Sequence, residues 1–139
     1  MAIKLYINVK KVDAMPITKM TFENGIAFVR EEGRIEKADA KHFAEFIAHH
    51  AANHPTPIGC VIDAMNVKFI SIDARKIFVR ASTIQNFTFS AVAAKDVVSR
   101  QTARIIGHMA QDGHTYTFAT LDDAWAFAHE RLGLAGAGR

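Results

Sequence analysis

Cysteine is nearly absent from this chain. With Cys60 alone, no intramolecular disulfide can form, and a reducing compartment, the cytoplasm, is the expected setting. Long apolar runs are also missing. No stretch approaches the roughly 18 apolar residues of a membrane span, so none is expected. Residues 1–11 alternate apolar and basic side chains, which is not the continuous apolar segment of a secretory signal. The glycines form no GxGxxG or phosphate-loop pattern, so no nucleotide fingerprint is present. No HExxH stands among the seven histidines, and no cysteine lies near them. His42, His49, His50 and His54 fall on or just beyond one predicted helix, but His42 stands seven and eight residues, about two turns, from His49 and His50, whereas zinc prefers ligands at i, i+4 or from converging elements, and they read as a solvated face. No metal or cofactor is expected. Charge is balanced too, with a net +3. Nucleic-acid binding is not expected, because neither an aromatic–basic strand platform nor a recognition-helix motif accompanies that charge.

What is present is apolar residue in quantity, half of the 139. That suits a single domain with a substantial core, here expected over about 18–132, with a Gly- and Ala-rich tail at 133–139 that frays. The three prolines, Pro16, Pro55 and Pro57, punctuate the pattern. Period-two alternation over 3–9 predicts a strand at a sheet edge, which leaves a homodimer through that strand open. Asn24-Gly25 between two β-prone runs predicts a hairpin, because both residues tolerate positive φ; Gly33 is expected to end its second strand. A helix follows over 38–53, with Ala40, Phe43, Ala44, Ile47 and Ala51 on one face.

The apolar run 58–62 predicts a strand covered on both faces, with Cys60 as a small core residue. A loop over 63–70 should lead to Ser71, a plausible N-cap with Asp73 in the first turn, and to a helix whose stripe is Ala74, Ile77, Phe78 and Ala81. A strand over 87–93, a helix over 95–109, a strand over 116–119 and a Thr120-capped helix ending near Leu132 complete the chain. The fold class is therefore α/β: a mixed, mainly parallel central sheet of about five to six strands with about four helices.

The segment from Val61 to Ala74 resembles a known family. An apolar strand ends in Asp63, a short loop carries Val67, Phe69 and Ile70, and a helix starts at once. An apolar strand, an Arg-containing helix and an aromatic strand ending in Thr120-Leu121-Asp122-Asp123-Ala124-Trp125 follow. This resembles the STAS domain of bacterial anti-sigma-factor antagonists and its SpoIIAA-like relatives. In that family the loop ends in Asp-Ser-Ser-Gly. Its first serine is phosphorylated by a partner kinase that is also the anti-sigma factor. In direct register Ser71 falls on the Asp, Ile72 on the phosphoacceptor, and Asp73 and Ala74 on the Ser and Gly.

The resemblance implies a non-enzymatic regulatory module whose partner is an anti-sigma-factor or kinase-like protein. The partner-binding loop and helix would present Asp63, Lys68, Ser71, Asp73, Arg75 and Lys76, and Ser71 is a candidate phosphosite or helix N-cap. Arg80, Arg100 and Arg104 would extend a basic face suited to an acidic or phosphate-bearing partner. The acidic pairs Glu31-Glu32 and Asp122-Asp123 read as a strand end and a helix first turn rather than as catalytic carboxylates. The alternative is a binding protein holding a small apolar or lipid-like ligand between helices and sheet, with Phe43, Phe46, Phe78, Phe89 and Trp125 available to line it.

Overall fold

The structure, a computed structural model, describes residues 17–96 and 114–133. Within them the order is β1 (Ile17–Glu23), β2 (Ile26–Ile35), α1 (Lys37–Ala52), β3 (Ile58–Ile70), α2 (Ile72–Ala81), β4 (Phe87–Ala93), β5 (Thr115–Phe118) and α3 (Leu121–Arg131). The strands lie in sequence order, β1-β2-β3-β4-β5. Only the β1–β2 pair is antiparallel; β2, β3, β4 and β5 pair in parallel. The expected class, a mainly parallel mixed sheet with helices on it, is the observed one. The strand expected over 3–9 and the helix expected over 95–109 lie outside the described residues, apart from the first two residues of the latter.

Local chemistry accounts for the elements. Asn24 and Gly25 both take positive φ, 55° and 80°, the pair of left-handed residues that a tight turn between right-twisted strands requires. The turn sets Glu23 opposite Ile26. Helix α1 opens with a reciprocal cap: the Glu36 side chain accepts from the N3 amide, and the Glu36 amide donates to Asp39 at 2.8 Å. Helix α3 starts where Thr120 accepts from the Asp123 amide at 3.1 Å.

Two expectations need correction. Gly33 does not end β2. It takes φ 68° inside the strand, which continues to Ile35. Residues 63–70 are not a loop either; they are the second half of a 13-residue β3. The pairing explains both. Between Arg30↔Asp63 and Glu32↔Asn66, and again between Gly33↔Val67 and Arg34↔Phe69, β3 carries an extra residue opposite β2. Such bulges break the period-two pattern that marks a strand, yet the ladder resumes after each.

The sheet is covered on both faces. On one, Val29, Cys60 and Ile62 pack with Phe43 and Ile47 of α1 and Ala81 of α2. On the other, Phe28, Val61 and Phe89 pack against Ala124 and Ala128 of α3. Each fully buried large side chain contributes about 1.5–3 kcal/mol of hydrophobic stabilisation. Cys60 is a core residue as expected, and burial, with Glu31 beside it, pushes its thiol well above the ordinary cysteine value.

Candidate functional site: the start of α2 and the cavity beside it

The junction of β3 and α2 is held from three sides. The Ser71 amide donates to the Ile35 carbonyl at 3.0 Å, which ties the junction to the end of β2. The Ser71 hydroxyl accepts from the Ala74 amide at 3.1 Å, and the Ser71 carbonyl accepts from Arg75 at 3.0 Å. Ser71 is therefore the N-cap of α2, with the extended φ and ψ of −66° and 160° that the role requires. Its hydroxyl oxygen fills one of the helix's otherwise unpaired first-turn amides.

Directly after this cap, Ile72 is 68% exposed, and Phe69, just before it, is 40% exposed. They are the exposed large hydrophobic residues among those described. The Arg34 guanidinium stacks over the Phe69 ring at 4.2 Å and pairs with Glu36, which fixes the aromatic side chain on the surface. Arg75 Nε donates to the Ile70 carbonyl at 3.1 Å, so this arginine lies back along β3. Lys68, Asp73, Arg75, Lys76 and Arg80 are all exposed. The β3–α2 junction thus exposes two large hydrophobic side chains three residues apart, Phe69 and Ile72, in a mainly basic stretch.

Asp63 does not belong to this group. It stands opposite Arg30 in the β2–β3 ladder, and its carboxylate takes Arg30 Nε at 3.0 Å and the Met65 amide at 3.2 Å. Val61 and Phe28, two residues before each partner, belong to the α3 side of the sheet, and Arg30 lies over the Phe28 ring at 5.5 Å. The structure thus places Asp63 across the sheet from α2. Arg100 and Arg104 fall outside the described residues.

Beside the junction lies a cavity of about 260 Å³. Among the described residues, apolar walls come from Phe43, Phe78, Phe87, Val67 and Val92, and the exposed Lys68 and Arg75 also border it. Phe43 of α1 and Phe78 of α2 meet edge to face at 5.2 Å. One further wall residue, expected from its sequence context to be a strand end, is buried inside β2 instead. Glu31 is only 4% exposed, and its Oε2 has no hydrogen-bond partner among the described residues. Burial, with a smaller contribution from the nearby Asp39 charge, raises its carboxyl from the ordinary 4.5 to about 8. At neutral pH it is a neutral acid, which can donate one hydrogen bond and accept others. The available sequence signal was parity: Ala27 and Val29, on the core face of β2, put Glu31 on the same face.

His50 stacks on Phe22 at 4.2 Å, and burial together with neighbouring His49 lowers its pKa. No group of three His, Cys, Asp or Glu side chains that could hold a metal occurs among the described residues. No helix among them is long and apolar enough to cross a membrane.

No family model matches the sequence, and no curated protein matches it. Solved structures do. An uncharacterised protein of the DUF3478 family with a SpoIIAA-like fold, from Shewanella loihica, is 15% identical with a TM-score of 0.61, over 81% of this chain and 91% of that one. An anti-sigma factor antagonist from Mycobacterium paratuberculosis is 22% identical with a TM-score of 0.60, over 87% of this chain and 99% of that one. At such identities the likeness is one of fold: this chain has a SpoIIAA-like fold.

Proposed function

We propose that this chain is a non-enzymatic, single-domain regulatory module that docks a partner protein through the start of α2, as an anti-sigma-factor antagonist would. The observation that carries the reading is Ile72, 68% exposed in the first turn of a well-capped helix, three residues after a stacked Phe69 that is 40% exposed. Covering what they still expose would contribute about 1–2 kcal/mol for Ile72 and about 1 kcal/mol for the already half-covered Phe69. The basic surround supplies orientation and approach rate for an acidic partner surface. The resemblance in sequence puts Ile72 where antagonists carry their phosphoacceptor. A hydrocarbon there cannot be phosphorylated, and the Ser71 hydroxyl is engaged as the cap. Position 72 is then permanently in its unphosphorylated condition. The partner class is an anti-sigma-factor or related kinase-like protein of the cytoplasm.

Quantitative affinity purification from the source cell, with wild-type and Ile72→Asp baits, tests this. The expected result is an anti-sigma-factor-like or kinase-like protein retained by wild type and lost by the variant, whose thermal midpoint stays unchanged because the site is exposed. If no such protein distinguishes the two baits, the reading is wrong. A second reading, a binding protein for a small apolar molecule held between helices and sheet, is favoured by the cavity beside α2.

A further inference from the structure

The cavity combines three features that an ordinary packing defect does not. Its walls are mainly apolar; it holds a buried carboxyl with one oxygen unpartnered among the described residues; and it borders two exposed cations. Buried polar atoms in folded proteins are almost always paired, and an exception calls for a specific explanation. An apolar side chain at position 31 would avoid the cost of an orphaned oxygen altogether. The volume, about 260 Å³, lies just below the roughly 300–1,000 Å³ of ordinary ligand pockets, which suits one short chain or ring and excludes a two-chain lipid. The lining runs along the sheet, from Phe87 and Thr115 at the starts of β4 and β5 to Ile70 and Ala94 at the carboxyl ends of β3 and β4, where open α/β sheets usually admit ligands.

From these observations we infer that the cavity binds a small single-chain amphiphile. Its apolar body lies between Phe43, Phe78 and Val92, a neutral hydroxyl or carbonyl group meets Glu31, and an anionic end pairs with Lys68 and Arg75. The inference rests on the second reading above and adds the polar chemistry that would select the ligand. Protonated Glu31 matches a hydroxyl or carbonyl oxygen, since it can both donate and accept. An anion at the inner end would instead face an acid and the nearby Asp39. The cationic residues therefore assign the ligand's charge to the outer end.

The probe is 10-hydroxydecanoate, compared with decanoate, which lacks the hydroxyl, and 1,10-decanediol, which lacks the charge. Amide NMR shifts of the labelled chain would report both site and affinity. Saturable shifts at Glu31, Val67, Phe78 and Val92 are expected. Glu31→Leu should weaken 10-hydroxydecanoate roughly three- to tenfold, the effect of one neutral hydrogen bond, and leave decanoate unchanged. Glu31→Gln, which keeps a polar group in the same space, should retain binding. Arg75→Ala with Lys68→Ala should weaken both carboxylates and not the diol. Should decanoate and 10-hydroxydecanoate bind the cavity equally in wild type and in Glu31→Leu, the polar assignment is overturned and the apolar-ligand reading survives. Should neither bind, or should shifts map elsewhere, both fall.

Discussion

Replacing Glu31 by glutamine should remove a pH-dependent weakness from the fold. The carboxyl is buried, with Asp39 near it from α1 and Cys60 from β3, and its pKa rises from 4.5 to about 8. The folded state therefore holds a proton that the unfolded chain has released between about pH 4.5 and 8. Linkage then makes the free energy of unfolding fall by about 1.4 kcal/mol for each pH unit across that window. Below pH 4.5 both states are protonated and the penalty vanishes; above pH 8 it is complete. Over the window the loss amounts to about 5 kcal/mol, of which about 3 kcal/mol is already present at pH 7. Glutamine fills nearly the same space and does not titrate. Urea unfolding of wild type and Glu31→Gln at successive pH values measures the difference, in which the other titrating groups cancel. The stability of Glu31→Gln relative to wild type should climb steadily from pH 5 to pH 8 and then level off. A difference that is flat across that range would mean that Glu31 ionises normally in the folded protein, and the neutral-acid chemistry assigned to the cavity would go with it.

Gly59 leaves no room for a side chain: a Cβ there would stand 2.1 Å from the Phe89 ring, which is fully buried, so Gly59→Ala should destabilise by about 1–3 kcal/mol in urea unfolding. Asn86 Nδ2 donates to the carbonyls of Ala51, His54 and Thr56 at 3.0, 3.2 and 3.1 Å, tying the α1–β3 connection to the start of β4. Asn86→Ala should cost about 2 kcal/mol by leaving these carbonyls short of a donor, and hydrogen exchange should speed up around residues 52–57. Ser71→Ala removes the α2 cap and should cost about 1 kcal/mol, whereas Ser71→Asp should restore most of it; equal losses in the two variants would contradict the capping role.

The sequence was most legible where a residue's local geometry and its tertiary role agree. Asn24-Gly25 makes its turn in isolation as it does in the sheet. Ser71 and Thr120 cap the helices they precede, and Ala40, Phe43, Ile47 and Ala51 face the core that their spacing announces. Legibility failed along β3, where two bulges shift the alternation between residues 63 and 70, so that a paired strand carries the pattern of a loop. The misreading carried Asp63 with it. Treated as a loop residue, it could be grouped with Lys68 and Ser71; in a strand, parity puts it with Arg30 on the α3 side.

Glu31 shows the complementary failure. Beside Glu32, and two residues ahead of a glycine expected to stop the strand, it had the composition of an exposed strand end. Once β2 runs on to Ile35, the same residue sits in the strand's interior on its core face. The two errors have one cause. Gly33 takes its left-handed conformation at the second shift between β2 and β3, so the glycine that looked like a terminator allows the paired strands to continue past an irregularity. The extended pair brings Glu31, Val67 and Lys68 into the walls of one cavity and delivers Ser71 to the start of α2. The docking surface and the cavity thus share Lys68, Phe69 and Arg75. A perturbation of the bulged segment should be felt by both, whereas Ile72, which does not line the cavity, can be altered without touching it.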